Sequence, residues 1–279
     1  MSRDPRLWPS NGKVAHDSLT GQVEGVQFTS GEVFSVAEPV TDLLNAAGRR
    51  ERQLLLGETF LGLDTEDGLT FGMAERDGYC GYIAAEDLCP MITSTHRVRA
   101  RATHLYDAPD MKSSEQTTLS CGARMTIVGQ AGRFGQTAEG LFVPMVHLVP
   151  VTYVEPDPVA VAERLLGTPY LWGGNSAFGV DCSGLVQLCH LAAGISCAGD
   201  ADLQEKTLGG ALTADADVQR GDLFFWKGHV AMAASPTMLI HANAFHMSVA
   251  LEHLETALDR VVARGDGPVT SRRRIRRDG

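Results

Sequence analysis

Asp181-Cys182-Ser183-Gly184 opens a stretch of helical periodicity, and two histidines follow at 229 and 241, each inside a short apolar strand pattern. A cysteine attacks a carbonyl as its thiolate, and the unpaired N–H groups at a helix N-terminus lower a thiol pKa from its ordinary value near 8.5. The same N–H groups can hold an oxyanion. The helix is expected over 182–193, with Gly194 closing it. Cys189 lies almost directly below Cys182 on that helix and, with Leu185 and Leu188, forms an apolar face directed at a sheet.

His229 starts a strand after Gly221-Asp222-Leu223-Phe224-Phe225-Trp226, and His241 lies in Leu239-Ile240-His241-Ala242-Asn243. A hairpin turning about Ser235-Pro236 would set 229 directly opposite 241 on one face, with Cβ atoms about 4.5–5.5 Å apart. His241 could then fix the tautomer and orientation of His229, completing a nucleophile, a base and an orienter. A slip of one residue would turn the rings to opposite faces. A zinc site from the same residues needs a fourth partner, and none stands at a characteristic spacing; no metal and no cofactor are expected. Cys80, Cys89, Cys121, Cys189 and Cys197 read as ordinary reduced thiols, and His16, His96, His104, His147, His190, His246 and His253 as structural.

The elements that must position this set change character along the chain. Before residue 150 the pattern is short apolar runs between Gly, Asp and Glu clusters. A weak repeat runs through it: Tyr82-Ile83 with Leu88 recurs as Phe142-Val143 with Leu148, and Leu56-Gly57 before Phe60 recurs as Cys121-Gly122 before Met125. Two small β-barrels in tandem explain that spacing better than one sandwich. Residues 150–158, Pro-Val-Thr-Tyr-Val-Glu-Pro-Asp-Pro, read as an extended linker. A helix is expected over 159–166, and strands over 223–226, 229–233, 239–243 and 248–251. Helices followed by an antiparallel sheet give an α+β domain.

A formal net charge of -10 argues against nucleic acid or an anionic membrane as main partner. The run Arg272, Arg273, Arg274, Arg276 and Arg277 reads as a solvated last strand and tail. The N-terminal segment lacks the apolar run of a secretory leader, which with reduced thiols gives a cytoplasmic expectation.

Thr168-Pro169-Tyr170-Leu171-Trp172-Gly173-Gly174, Gly179-Val180-Asp181-Cys182-Ser183-Gly184-Leu185, Arg220-Gly221-Asp222-Leu223, Gly228-His229-Val230-Ala231 and Leu239-Ile240-His241-Ala242 stand in an order that closely resembles the NlpC family of bacterial cell-wall cysteine peptidases. The resemblance covers most of residues 158–251. It implies a papain-like catalytic domain over 158–279, preceded by an arm (1–17) and two SH3-like domains (18–94 and 95–152). It further implies hydrolysis of the γ-D-glutamyl–diamino acid bond of peptidoglycan stem peptides with a free N-terminal L-Ala, as in murein recycling. Cys182, His229 and His241 would be the catalytic set, and Tyr170 would border the oxyanion. Asp181 and Ser183 would contact the L-Ala end, and Glu58 is the candidate for the substrate amine. The family's frequent Pro-Arg-Asp is replaced here by Cys197-Ala198-Gly199-Asp200-Ala201-Asp202, a departure from the family's pattern at a place where a side chain would contact substrate. Two other readings stay open: a secreted or periplasmic hydrolase of intact wall, and a non-enzymatic wall-binding protein. Oligomeric state and the diamino acid are not fixed by these residues.

Overall fold

In the computed structural model, residues 4–265 and 267–276 are described. They fall into two compact units, Met1–Tyr153 and Val154–Gly279. Antiparallel sheets dominate, with four α-helices confined to the second unit, an α+β architecture.

The first unit contains two modules, each built around its own core, as expected when short half-buried strands close on themselves. Strands between Glu32 and Pro90 form a seven-stranded sheet, and Val36, Leu43, Leu54, Phe60, Ala74, Tyr79 and Ile83 fill one core. Strands between His96 and Pro150 form five- and three-stranded sheets around Val98, Leu105, Leu119, Ala123, Met125, Val143 and Leu148. The repeat seen in the sequence has a structural counterpart. Cys80–Ala84, a 3-10 turn Ala85–Asp87 and Leu88–Pro90 are matched by Phe142–Pro144, Met145–His147 and Leu148–Pro150. Gly57 (φ 74°) and Gly122 (φ 91°) take the same left-handed turn ahead of the core residues Phe60 and Met125. Strand Val14–His16 pairs in parallel with Gln27–Thr29, and Val14 shares a small cluster with Leu63, Phe71 and Cys80. Val14–His16 is thereby anchored to the first module.

The second unit begins with α1 (Pro158–Arg164), capped by the Asp157 carboxylate on Val159 N. Pro158 thus starts a helix, where its missing N–H is no loss, while Glu155 is buried and ion-paired to Arg164. Then follow α2 (Cys182–Ala192), α3 (Ala201–Thr207), β1 (Gly210–Ala211), β2 (Leu223–Trp226), β3 (His229–Ser235), β4 (Met238–Asn243), β5 (Ser248–His253), α4 (Leu254–Ala263) and β6 (Ser271–Arg274). The sheet order is β1-β6-β2-β3-β4-β5. α2 packs against β3 and β4, and α4 against β4 and β5.

Two expectations are corrected here. α2 has no single apolar face: every residue from Cys182 to His190 is buried, so the helix runs through the interior of its unit. The arginine-rich last strand is present as expected, but it is not simply solvated. Ser271–Arg274 is an interior strand paired with β2, and Arg272, Arg273 and Arg274 donate to backbone carbonyls of the loops around them. Arg274 also grips the fully buried Asp222 through two bonds of 2.6 and 2.7 Å. Arg276 is exposed, and Arg277 lies outside the described residues. No helix among the described residues is long and apolar enough to cross a membrane.

Candidate active site

Asp181 is the N-cap of α2, in extended conformation (φ -94°, ψ 180°). Its Oδ1 accepts from Gly184 N at 2.6 Å and from Ser183 Oγ at 3.0 Å, and its Oδ2 accepts from Gly173 N at 2.9 Å. The carboxylate therefore fastens the start of the helix to the Gly173-Gly174 turn and fixes the backbone on both sides of Cys182. Cys182 is the first residue of the helix and is 7% exposed, at the end where the helix dipole favours an anionic sulfur. Tyr170 reaches the same place by backbone: it bridges to Val180 and donates its N–H to Met247 O at 2.9 Å. Its side chain is half-buried.

The two imidazoles meet in the sheet. His229 Nε2 lies 3.0 Å from His241 Nδ1. The register differs from the sequence expectation. Met232 pairs with Ile240 and Ala233 with Leu239, so continuing the ladder sets 229 against 243, two residues from 241. The hairpin turns later than assumed, with Ser235 paired to Met238 and a bulge after Ala233. A shift of two keeps parity, so both rings stay on one face as diagonal neighbours instead of direct partners.

Sequence reasoning missed what lies behind His241. Glu252, opposite Leu239 and hence diagonal to His241, places Oε2 3.1 Å from His241 Nε2. Arg260 of α4 donates to both its oxygens at 2.7 Å. The signal was present: Leu254, Ala257, Leu258 and Val261 have helical spacing, and a helix there brings Arg260 back over β5.

Burial pushes the His229 imidazole down to about 3, with His241 and Arg260 acting the same way and Glu252 opposing. His241 is also pushed down, chiefly by burial, against the pull of Glu252. Burial pushes the Glu252 carboxyl up, but the Arg260 guanidinium and the His241 N–H outweigh it and hold the group at about 2. Both rings are thus neutral near pH 7, as a general base must be. A stability consequence follows. Below the ordinary value of 6.5 the unfolded chain protonates at His229, whereas the folded chain does not until about pH 3, so stability falls as pH drops through that window. Between pH 7 and 5 the loss from His229 alone is about 2 kcal/mol, set by the unfolded titration. Urea midpoints at the two pH values should show this loss in the native chain and a smaller one in His229→Gln; equal losses would overturn it.

The remaining residue named from the sequence, Glu58, belongs to the first unit. It is buried there, accepting from Leu55 N at 2.9 Å and from Arg76 Nη1 at 2.6 Å, both through Oε2. Among the described residues no group of three or more His, Cys, Asp or Glu side chains is arranged to hold a metal ion.

Residues 167–261 match the NlpC/P60 family model, and residues 44–88 match the bacterial dipeptidyl-peptidase Sh3 domain. Dipeptidyl-peptidase 6 of Lysinibacillus sphaericus is 40% identical over 85 residues, which are 30% of this chain and 31% of that protein. The match spans about a third of the relative's length. An NlpC/P60 family protein from Bacillus cereus has a solved structure that superposes with a TM-score of 0.73 at 19% identity, covering 87% of this chain and 99% of that one. An NlpC/P60 endopeptidase from Photobacterium damselae subsp. piscicida gives 0.55 at 12% identity, covering 86% and 70%. At these identities the two superpositions speak to fold.

Proposed function

This chain carries an NlpC/P60 domain behind a bacterial SH3 domain, and from that premise we propose that it is a cysteine peptidase releasing L-Ala-γ-D-Glu from peptidoglycan stem peptides. The observation that carries the reading is the His229–His241 hydrogen bond on the very strands against which the Cys182 helix packs. In the reaction the Cys182 sulfur attacks the γ-carbonyl carbon of D-glutamate while His229 takes the thiol proton. N–H groups at the start of α2 hold the resulting oxyanion. His229 returns the proton to the departing amine of the diamino acid, and water then hydrolyses the thioester.

Two findings support release of a dipeptide with a free amino end. One relative, 40% identical over 85 residues, is a dipeptidyl-peptidase, and the Sh3 model is that of dipeptidyl-peptidases. A dipeptidyl-peptidase counts its cut from a free N-terminus, and L-Ala-γ-D-Glu is the dipeptide that such a cut would free here. A short peptide with an exposed amine is a fragment of wall and not the intact polymer, which fits recycling in the cytoplasm. The test compares L-Ala-γ-D-Glu-L-Lys with its N-acetylated form. A lost ion pair at a desolvated site costs about 2–5 kcal/mol, so kcat/KM should fall by at least about 30-fold on acetylation. Equal cleavage of the two, or efficient release of fragments from purified sacculi, would overturn the free-amine reading in favour of wall hydrolysis.

A further inference from the structure

We propose that Glu252, clamped by Arg260, is a positioning residue that decides which nitrogen of His229 acts as the base. The proposal rests on the peptidase reading above and extends it to the residue behind the histidine pair. A neutral imidazole has one N–H and one lone pair, and which nitrogen carries the proton is set by the partner of the other. Glu252 is bound to Arg260 through both oxygens at 2.7 Å, a forked pair that keeps it ionised and orients it. An ionised carboxylate can only accept. His241 must therefore carry its proton on Nε2, which faces Oε2 at 3.1 Å, and its Nδ1 is a lone pair. That lone pair lies 3.0 Å from His229 Nε2, so the bond between the rings exists only if His229 is protonated on Nε2. His229 Nδ1 is left with the lone pair, and that is the nitrogen available to take the thiol proton.

The charge of Glu252 is not its main contribution. Arg260 opposes it at His229, and the charged groups facing His241 include Arg260 and His246 as well as Glu252, with opposing effects. What Arg260 cannot cancel is the direction of the hydrogen bonds. A chain of one carboxylate and two rings has only one arrangement in which every contact is a bond, so Glu252 sets the proton positions of both histidines at once. Arg260 in turn rests 4.7 Å from the centre of the Phe245 ring, which holds the clamp in place.

Glu252→Gln separates proton direction from packing. The amide oxygen would turn to the Arg260 donors, leaving its NH2 facing His241 Nε2. That inverts both tautomers and puts the proton on His229 Nδ1, where it blocks the base. In a serine-protease triad the equivalent aspartate-to-asparagine change costs about 10⁴-fold in kcat. Here a fall in kcat of about 10³–10⁴-fold with little change in KM is expected, and Glu252→Asp should recover part of it. Long-range ¹⁵N–¹H spectra of the imidazoles at neutral pH read the tautomers directly. The native protein should show both Nε2 atoms protonated and both Nδ1 atoms bare, and Glu252→Gln the reverse. A merely structural Glu252 would lower stability without inverting the spectrum. Native spectra with His241 protonated on Nδ1, or Glu252→Gln with unchanged tautomers and kcat, would overturn the proposal. The native spectrum needs neither substrate nor variant, so it decides the tautomer even if stem peptides are not cleaved, a result that would count against the peptidase reading alone.

Discussion

Cys182→Ala is expected to reduce turnover of L-Ala-γ-D-Glu-L-Lys by about 10⁵–10⁶-fold, the size of effect seen when a protease loses its nucleophile. Neither of the two nearest candidate side chains on α2 can substitute in the covalent path. Ser183 follows in sequence, but its hydroxyl is committed to Asp181 Oδ1 at 3.0 Å, and a hydroxyl is a far weaker nucleophile than a thiolate at neutral pH. Cys189 lies two turns further along α2, with no exposed surface. The fold should survive, because Ala fills the first turn of a helix well and only a sulfur is removed from a site that is 7% exposed. A stability change near 1 kcal/mol, hence a melting point within a few degrees of the native one, is expected. A folded variant that keeps more than a hundredth of the native kcat/KM would remove Cys182 as nucleophile and the peptidase reading with it. Cys189→Ala is the control with the opposite profile: activity near native, stability reduced by a small cavity.

What the sequence made legible, and what it did not, divides along physical lines. Asp181-Cys182 could be placed at a helix start because capping is local: the carboxylate, the cysteine and Gly184 N lie within three residues of each other. The strands at Leu223–Trp226 and Met238–Asn243 were legible within one residue as short apolar runs. The face shared by His229 and His241 was recoverable as well, since parity survives a two-residue shift. The register itself was not. It depends on whether the turn is centred on Ser235-Pro236 or one residue later, and the bulge after Ala233 leaves no mark in residue type. Glu252 and Arg260 escaped for a different reason. Each looks like an ordinary surface charge until β5 is set beside β4 and α4 is folded over it, a long-range event. The arginines at 272–274 are the converse: a charged run normally read as solvated becomes an interior strand because loop carbonyls and Asp222 accept from its guanidinium groups.

Asp181→Ala is the substitution for which stability and activity should fall together and by large amounts. One buried carboxylate accepts from three donors, Gly184 N, Ser183 Oγ and Gly173 N, at 2.6–3.0 Å. Removing it deprives α2 of its cap, at about 1 kcal/mol, and leaves two further donors in a site that is 7% exposed, each at about 1–3 kcal/mol if no water replaces the carboxylate. A total of about 3–7 kcal/mol is a large share of the 5–15 kcal/mol typical of a folded protein, and the melting point should drop by at least about 10 °C. Asp181→Asn keeps the shape and one acceptor oxygen, but its NH2 must then face either Gly173 N–H or the helix N–H groups, donor against donor. It should therefore cost about 1–3 kcal/mol, less than alanine but far more than an exposed substitution. The catalytic consequence follows from the same bonds. Cys182 sits between the two backbone segments that Asp181 joins, so releasing either lets the sulfur drift, and a misplacement of about 1 Å can cost on the order of 100-fold. Assayed at a temperature where both variants remain folded, kcat should fall in the order native, Asp181→Asn, Asp181→Ala. Denaturation midpoints and kcat that both stay near native in Asp181→Ala would show that the cap does not hold the nucleophile, and that the helix start is organised by its burial alone.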